Sequence, residues 1–274
     1  MLDFENLTPE AMRRYVQQHR EDDYLVIDVR QPAEYANGHI PGAQLMPLDQ
    51  LESNPAAVPQ DRDVFFYCRS GARSQAAAVI YLDSGRKSGQ KVYNLKGGML
   101  GWDGHALDGF PRLQVFDKNA PLPELMLMSM DMEKAALRFY QHLAQRHAAT
   151  PWAGVLEKLQ RAEKAHAGAV YEFWRPLAKA PQPFDTLFDS LSGDILEGGR
   201  HLQDALADLD ALNAGDGVQV LEFALNIEVE AYDLYRTMAD RSENAEIRKA
   251  FSAIAQMEKK HMQLLADVFR QFQD

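Results

Sequence analysis

The stretch that determines the first half of the fold is Val64-Phe65-Phe66-Tyr67-Cys68-Arg69-Ser70-Gly71-Ala72-Arg73. It begins as a short apolar run rich in aromatic residues, which is typical of a buried strand. It continues as a glycine-containing loop and then as a helical pattern over Ala72–Ser84. Similar apolar runs at Leu25–Val29 and Val92–Leu95 predict two more strands. Strands that alternate with helices predict an α/β domain whose parallel sheet is covered by helices on both faces.

Cys68 is the single cysteine of the 274 residues, and it stands between the strand and the loop that precedes the helix. Open α/β sheets bind ligands at this carboxyl edge of their strands. The amides of a helix N-terminus and the charges of Arg69 and Arg73 favour a thiolate over a thiol here. A thiolate in a cradle of amides can attack a sulfur or phosphorus centre and stabilise the anion that forms. The alternative is a buried structural cysteine beside two unrelated surface arginines.

The motifs that accompany this loop are Ile27-Asp28-Val29-Arg30, Glu34-Tyr35, Gly38-His39-Ile40-Pro41-Gly42-Ala43, Asn94-Leu95-Lys96-Gly97-Gly98 and Gly101-Trp102. Together with the loop they make residues 3–112 resemble a rhodanese, which is a sulfurtransferase domain. The resemblance implies that Cys68 accepts a sulfane sulfur from a donor such as thiosulfate, forms a persulfide, and passes the sulfur to a thiol or cyanide-like acceptor. Related phosphatases use a loop one residue longer, so the six-residue loop Cys68–Arg73 favours sulfur over phosphate.

The predicted residues for binding the persulfide and the substrate are Arg69, Ser70, Gly71, Ala72 and Arg73. We expect the loop amides and Arg73 to hold the persulfide anion. We expect an exposed Arg69 to select an anionic donor. We expect Asp28 and Arg30 to tie strands and loops together. His39 precedes a turn-forming Pro-Gly, so we expect it to be structural rather than catalytic.

The sequence changes character near residues 117–122, where Pro121 lies in a stiff connector and long helical periodicity begins. The predicted long helices cover residues 123–147, 150–176, 217–241 and 243–271. Short loops join the first two and the last two, which predicts two antiparallel hairpins. A long crossover over 177–216, with a helix at 193–212, connects the hairpins. We therefore predict an α/β domain over 1–116, a linker over 117–122 and an all-α four-helix bundle over 123–274.

The helical half contains one pattern twice, at an offset of 95 residues. The matching segments are Glu133-x-x-Ala136-x-x-x-Tyr140 with Glu228-x-x-Ala231-x-x-x-Tyr235, and Glu163-x-x-His166 with Glu258-x-x-His261. Because residues i and i+3 share a helix face, each Glu-x-x-His pair can hold one ion. One glutamate from each of two helices plus Glu-x-x-His from each of the other two is a known ligand set for a dinuclear site in a four-helix bundle.

The predicted metal ligands are therefore Glu133, Glu163, His166, Glu228, Glu258 and His261, with Glu133 and Glu228 expected to bridge the two ions. Such ligands suit iron or manganese, and zinc also fits them. A single Glu-x-x-His is typical of a solvated helix surface, so the prediction depends on the duplication. Tyr140 and Tyr235 either pack in the core or donate a hydrogen bond to a ligand carboxylate.

The duplicated pattern makes residues 123–271 resemble a rubrerythrin, within the ferritin-like family. The resemblance implies a di-iron centre that reduces peroxide or reacts with dioxygen. Rubrerythrins often carry a cysteine-ligated iron domain that supplies electrons, which one cysteine cannot build, so we expect an electron donor in trans. They also often carry a further carboxylate ligand, for which Glu222 and Glu230 are the candidates.

Composition limits the classes of partner. The net charge of −11 and the pI near 5.2 argue against nucleic-acid binding. No apolar run approaches the about 18 residues of a membrane span, so no membrane association is expected. A single cysteine excludes an intramolecular disulfide and fits a reducing, cytoplasmic setting, and the first residues lack the features of a secretory signal. Bundles of this type often pair, so a homodimer is one expected state.

The leading interpretation is a cytoplasmic enzyme in which a sulfurtransferase domain is joined to a di-iron domain with peroxide or oxygen chemistry. Covalent linkage raises the concentration of one site at the other, so persulfide sulfur or electrons from Cys68 are one conceivable input to the metals. Three alternatives stay open. In the first, the bundle is a metal buffer or store without turnover. In the second, the bundle is only a dimerisation scaffold, and in the third, the first domain is a sensor whose Cys68 is oxidised reversibly.

Overall fold

The computed structural model describes residues 4–85, 89–117, 120–212 and 217–271. The chain divides into two units, Met1–Phe110 and Pro111–Asp274. This division lies upstream of the predicted boundary at residue 116. Phe116 is buried in the second unit, where its ring centroid is 6.4 Å from that of Tyr235 and 5.4 Å from that of Phe251.

The first unit is built on a parallel five-stranded sheet. Its strands are β1 (Glu5–Leu7), β2 (Tyr24–Asp28), β3 (Gln44–Leu45), β4 (Asp63–Tyr67) and β5 (Val92–Leu95). Its helices are α1 (Pro9–Gln18), α2 (Pro32–Ala36), α3 (Leu48–Ser53), α4 (Ala72–Asp83) and α5 (Gly98–Gly101). The strand order is β1-β5-β4-β2-β3, so β4, which ends at the residue before Cys68, is the central strand.

Successive residues of β4 point to opposite faces of the sheet. Phe66 is buried with Tyr81 of α4 on one face, and Phe65 is buried with Met12 of α1 on the other. Helices therefore cover both faces, which confirms the predicted parallel α/β architecture. The strands β1 and β3 were not predicted, because three and two residues are too few to display a periodicity.

The second unit is helical. Its helices are α6 (Leu122–Arg146), α7 (Ala153–Trp174), α8 (Phe184–Ser190), α9 (Leu202–Ala211), α10 (Gly217–Arg241) and α11 (Ala245–Gln271). Helix α6 packs along α7, and α10 packs along α11, as expected of two hairpins. None of the described helices is long and apolar enough to cross a lipid bilayer.

The predicted helix over 193–212 is wrong in its first half, because α9 begins only at Leu202. Gly193 and Gly199 have φ angles of +61° and +73°, which lie in the left-handed region and cannot continue a right-handed helix. Residues 194–201 form instead a short hairpin, closed by a bridge between Ile195 and His201. We call these residues the crossover hairpin.

Two apolar layers make up the core of the bundle. The first contains the N-terminal half of α6, the C-terminal halves of α7 and α10, and the N-terminal half of α11. The second contains the remaining half of each helix. This division requires neighbouring helices in each hairpin to be antiparallel. The duplicated Glu and Glu-x-x-His positions fall between the two layers in all four helices.

Candidate functional site

The thiol loop, Cys68–Arg73, wraps around the sulfur of Cys68. The Cys68 side chain is buried, and its Sγ accepts hydrogen bonds from the Gly71 amide at 3.1 Å and the Ser74 hydroxyl at 3.4 Å. Gly71 has a φ of +99°, which allows the chain to turn from β4 into α4 while its amide faces the sulfur. The loop thus presents hydrogen-bond donors to an anion at Sγ.

The surroundings of Cys68 lower the pKa of its thiol. Burial raises the pKa of the thiol, but the Ser74 hydroxyl and the amides of Ser74, Ser70 and Gly71 outweigh it, so the pKa is lowered overall. Hydrogen bonds to a charged acceptor stabilise the charged form. A lowered thiol pKa is the property that a nucleophilic cysteine requires.

A glycine turn supports the back of the thiol loop. The amide of Met99 donates to the Cys68 carbonyl at 2.9 Å, and the amide of Leu100 donates to the Arg69 carbonyl at 3.0 Å. Gly98 has a φ of +53°, and a Cβ there would collide with the Cys68 carbonyl. The Gly97-Gly98 motif therefore allows its backbone to approach the thiol loop closely. The carbonyls of Cys68 and Arg69 are then held by this turn, and the amides of the loop remain available to the sulfur.

Arg73 is held by a carboxylate that sequence reasoning did not assign to the site. Its two terminal nitrogens donate to the Glu34 carboxylate at 2.7 and 2.8 Å. The hydrogen bond from Arg73 lowers the pKa of Glu34 to about 2. Contact with Glu34 raises the pKa of Arg73, and the negative charge of Cys68 adds to this. Arg73 is thus oriented by Glu34 within the electrostatic reach of the thiolate.

The remaining predicted residues of the first unit fall into two groups. Arg69, Ser70 and Ala72 are exposed on the loop. Asp28 and Arg30 form a buried pair at 2.6 Å, and Arg30 also donates to the Gly38 carbonyl at 2.7 Å, so they tie a strand to a loop. His39 is buried and stacked on Tyr35 with ring centroids 3.8 Å apart.

The six predicted metal ligands converge inside the bundle, and we call them the carboxylate cluster. Their members are Glu133, Glu163, His166, Glu228, Glu258 and His261, all of them buried. Three overlapping sets of three donor atoms within this group lie within 4.8 Å of one another. The two imidazole rings are stacked with centroids 4.3 Å apart. The duplication therefore brings two equivalent ligand sets face to face.

Two of the glutamates lie near both imidazoles. Glu258 is 3.4 Å from His166 Nδ1 and 3.5 Å from His261 Nδ1. Glu163 is 3.8 Å from His166 Nδ1 and 3.2 Å from His261 Nδ1. These two carboxylates therefore occupy the shared position between the two halves of the cluster.

The other two glutamates each approach a single imidazole. Glu133 is 3.7 Å from His166 Nδ1, and Glu228 is 3.0 Å from His261 Nδ1. From the sequence, Glu133 and Glu228 are expected to bridge two ions. The structure brings Glu163 and Glu258, rather than these two glutamates, close to both imidazoles.

The cluster contains buried polar atoms that make no hydrogen bond. They are both carboxylate oxygens of Glu133, Glu163 and Glu258, Nδ1 of His166 and Nε2 of His261. Burying charged groups without compensation is costly, and buried polar groups in proteins are almost always partnered. Carboxylate and imidazole donors that converge without partners fit iron, manganese or zinc.

The charges of the cluster are strongly perturbed. Burial raises the pKa of Glu228 to about 8, and burial together with neighbouring carboxylates raises the pKa of Glu133 well above its ordinary value. Contacts with the two imidazoles outweigh burial and lower the pKa of Glu258. The carboxylates of Glu163 and Glu228 outweigh burial and raise the pKa of His261. The group is thus a set of competing charges that a cation would satisfy.

Tyr140 and Tyr235 both reach the cluster, but with different partners. The Tyr140 hydroxyl donates to Glu228. The Tyr235 hydroxyl donates at 3.4 Å to Glu197, which lies in the crossover hairpin and is 2% exposed. The hydrogen bond to a predicted ligand carboxylate thus describes Tyr140 alone, and both tyrosines are also buried in the core.

Comparisons with known proteins identify the family to which the first unit is similar. The family model for the rhodanese-like domain matches residues 12–105. A sulfurtransferase from Allochromatium vinosum is 42% identical over 86 residues, which is 31% of this chain and 78% of that protein. The chain belongs to the rhodanese-like family. A putative sulfurtransferase of Bacillus subtilis, YtwF, is 34% identical over 84 residues, again 31% of this chain and 78% of that protein.

A crystal structure of a rhodanese-like domain protein from Staphylococcus aureus matches with 27% identity and a TM-score of 0.33, covering 38% of this chain and 98% of that one. These relatives concern the rhodanese-like unit alone. The family model for rubrerythrin matches residues 219–274, which contain α10, α11 and the second copy of the duplicated pattern. The chain is therefore a fusion of a rhodanese-like domain with a rubrerythrin domain.

Sequence reasoning missed three residues of these sites and misplaced two. Glu34 was recognised as part of a motif but not assigned to the thiol site, and Ser74 was not assigned either, because no spacing rule links these side chains to Cys68. Glu197 escaped notice because it lies outside the duplicated pattern. Of the two candidates for a further carboxylate, Glu222 is exposed and Glu230 packs against Gly198 rather than facing the cluster.

Proposed function

We propose that the rhodanese-like unit is a sulfurtransferase that carries one sulfane sulfur as a persulfide on Cys68. The observation that carries this proposal is the pair of donors, the Gly71 amide and the Ser74 hydroxyl, that faces Sγ. They stabilise a thiolate before the reaction and an anionic sulfur afterwards. The names of the related sulfurtransferases support the same class of reaction.

The transfer consists of two displacements at sulfur. The Cys68 thiolate attacks the outer sulfur of thiosulfate, the new S–S bond forms, and sulfite leaves with the electron pair of the old S–S bond. An acceptor thiolate or cyanide then attacks the outer sulfur of the persulfide. It gains the sulfur, as a new persulfide or as thiocyanate, and the Cys68 thiolate is restored. No external oxidant or reductant is needed.

The arginines have separate roles in this proposal. Arg69 is exposed at the mouth of the loop and attracts an anionic donor. Arg73 is oriented by Glu34 and adds positive charge near the sulfur. Because Glu34 neutralises part of that charge, the amides of the loop carry most of the anion stabilisation.

We also propose that the carboxylate cluster holds a dinuclear metal centre, with iron as the expected metal. Six residues would hold it: Glu163 and Glu258, which approach both imidazoles, and Glu133, Glu228, His166 and His261. The unpartnered buried oxygens support this assignment, because two cations would satisfy all of them. The rubrerythrin match over α10 and α11 supports iron.

A di-iron centre supplies peroxide reduction or reaction with dioxygen when it is bound, with electrons from a donor in trans. The chain's own residues prepare the site. The apolar layers on both sides exclude bulk water, and Tyr140 holds Glu228 in place with its hydroxyl proton. The competing interpretation is a site that only stores metal. Consumption of peroxide by the metal-loaded protein distinguishes a redox-active centre from a store.

The experiment for the sulfurtransferase proposal uses the single cysteine. Incubation with thiosulfate should add the mass of one sulfur atom to the full chain, and cyanide should remove it as thiocyanate. The Cys68→Ser variant should show neither event. If Cys68 instead forms a sulfenic acid readily with peroxide and never gains sulfur from thiosulfate, the sensor alternative holds and the proposal fails.

A further inference from the structure

An apolar cavity lies beside α6 in the second unit. Its volume is about 320 Å³, and its apolar walls are formed by Val115, Leu127, Met128, Met132, Leu191 and Ile195. Pockets of this size bind small molecules, and an apolar cavity of about 150 Å³ already holds benzene. The cavity is therefore large enough for a molecule that has an aromatic ring and a few further atoms.

The polar groups of the wall restrict the charge of that molecule. They are Asp131 and Ser192, and the Asp131 carboxylate accepts hydrogen bonds from the amides of Ser192 and Gly193 at 2.7 and 3.0 Å. Among the residues that the structure describes, no lysine, arginine or histidine lines the cavity. The carboxylate repels an anion, and its oxygens are already used by the donors of the neighbouring backbone. A neutral, largely apolar molecule is therefore the kind of ligand that fits.

The methionines of the second unit are distributed unevenly. All seven lie in or against the first apolar layer, and the second layer contains none within the part of the chain that the structure describes. They are Met126, Met128, Met130, Met132, Met238, Met257 and Met262. Methionine often fills gaps in a core, which explains Met126 and Met130, since both are 0% exposed. Gap filling does not explain Met128 and Met132, because the space beside them is left unfilled.

Met128 and Met132 lie one turn apart on the same face of α6, so both side chains line the same cavity. Their thioether sulfurs are the most readily oxidised groups of the described wall, and peroxides convert a methionine into its sulfoxide. Met132 directly precedes Glu133 in the chain, so the cavity borders the part of α6 that contributes to the carboxylate cluster. The cavity thus combines space for an apolar molecule with two groups that accept an oxygen atom.

We propose that this cavity binds a neutral organic hydroperoxide and that Met128 and Met132 reduce it by accepting its terminal oxygen. The thioether sulfur attacks that oxygen, so that an S–O bond forms and the O–O bond breaks. The proton of the transferred oxygen passes to the leaving alkoxide, which departs as an alcohol. The sulfur loses two electrons and the hydroperoxide gains them, so each methionine reacts once and becomes a sulfoxide. This step needs no metal, and the inference does not depend on the proposed metal centre.

The test maps the oxidised methionines by mass spectrometry after the full chain reacts with cumene hydroperoxide in a buffer that contains a chelator. Met238, Met257 and Met262 are partly exposed in the same layer but lie outside the described walls of the cavity, so they are internal controls. We expect Met128 and Met132 to react about tenfold faster than the controls, because burial of the phenyl ring concentrates the reagent beside them. Their rates should also saturate as the concentration of the hydroperoxide rises.

Hydrogen peroxide is the matched reagent, because it has no apolar part to bind in the cavity. It should oxidise the same five methionines in the order of their exposure, with Met132 among the slowest because that side chain is only 4% exposed. Rates that follow exposure for both reagents would overturn the proposal.

Competition separates binding from simple accessibility. Cumyl alcohol, the product of the reaction, should slow the oxidation of Met128 and Met132 by cumene hydroperoxide and leave the control methionines unaffected. Benzoate should not slow it, because Asp131 repels the carboxylate. If neither compound competes, the hydroperoxide is not bound, and if both compete equally, the assignment of a neutral ligand is wrong.

A substitution in the wall tests the cavity itself. Leu191→Phe narrows the cavity and should protect Met128 and Met132 from cumene hydroperoxide. Leu177→Phe makes the same change at an exposed position outside the described walls, so it should leave both rates as in the wild type. Unprotected methionines in a folded Leu191→Phe would contradict the proposal. If that variant fails to fold, the competition experiment on the wild type decides the question.

Discussion

The Cys68 thiol and the carboxylate cluster are both buried, but their polar atoms find partners in opposite ways. Around Cys68 the protein supplies its own donors, namely an amide and a hydroxyl, and Arg73 already has a carboxylate partner. In the cluster, six carboxylate oxygens and two imidazole nitrogens make no hydrogen bond. The sulfur thus has hydrogen-bond partners within the protein, whereas the cluster has buried donor atoms that lack them. This difference is the basis for proposing a reaction with a small molecule at the first site and metal binding at the second.

The largest expected effect breaks the first site and leaves the second intact. Cys68→Ser removes the only thiol, so sulfur transfer from thiosulfate to cyanide should fall to the uncatalysed rate. Metal content per chain should not change, because Cys68 belongs to the other unit. Thiocyanate formation and elemental analysis of the same sample check both halves. Residual catalysis by the serine variant would contradict the assignment of Cys68.

The second effect is the reverse. Glu133→Ala combined with Glu228→Ala should remove bound metal and spare sulfur transfer. Loss of metal binding at a free concentration a hundred times Kd should also lower the free energy of unfolding by about 2.7 kcal/mol for each site. The matched control is Glu157→Ala with Glu222→Ala, which removes two exposed carboxylates from bundle helices. Two metals retained by the first double variant would show that the ligands are wrongly assigned.

A third effect sharpens the description of the thiol loop. Ser74→Ala removes the hydroxyl at 3.4 Å from Sγ, so the pKa of Cys68 should rise, because one of the hydrogen bonds that lower it is lost. Because a lowered pKa makes the thiolate available at lower pH, the alkylation rate of the wild type should reach its plateau at a lower pH than that of the variant. The rate of alkylation by iodoacetamide against pH measures the shift. Identical pH profiles for the wild type and the variant would show that Ser74 does not lower the pKa of Cys68.

The smallest effect concerns Glu34. Its pKa of about 2 keeps it ionised at all working pH values, so its pairing with Arg73 is present above the ordinary carboxyl range and is lost only as the pH falls towards 2. Both groups are partly exposed, so Glu34→Gln should change stability by less than about 1 kcal/mol. It should alter the KM for thiosulfate more than kcat, because Arg73 becomes free to bind the donor anion.

Arg73→Ala should slow sulfur transfer, and an unaffected rate would exclude Arg73 from the mechanism.

The features that were predicted correctly are those formed by residues that are contiguous or regularly spaced in the sequence. The strand before Cys68, the glycine loop and the helix after it are continuous in the chain, and the duplicated Glu-x-x-His spacing follows directly from helix geometry. These features were sufficient for the architecture of both units. The repeat was also sufficient to predict that six side chains from four helices converge. Its constant offset places equivalent residues at the same level of the bundle, between the two apolar layers.

The residues that escaped prediction act across the fold. Glu34 meets Arg73 from another helix, and no spacing in the sequence links the two. Glu197 lies in a segment that was predicted to be helical, and only the positive φ angles of Gly193 and Gly199 turn it into a hairpin. Glu230 was a candidate ligand because of its place in α10, but its side chain packs against that hairpin. Long-range contacts made by irregular segments are what a single sequence does not display.

The central claim is that the cluster is a metal centre while the thiol loop needs no cofactor. Its most direct test is elemental analysis of the full chain purified from cells without added metal or chelator. The account predicts two transition-metal ions per chain, with iron foremost and an absorption spectrum that changes on addition of peroxide. A correctly folded chain that contains no metal and gains none from a solution of Fe²⁺, Mn²⁺ or Zn²⁺ would contradict it.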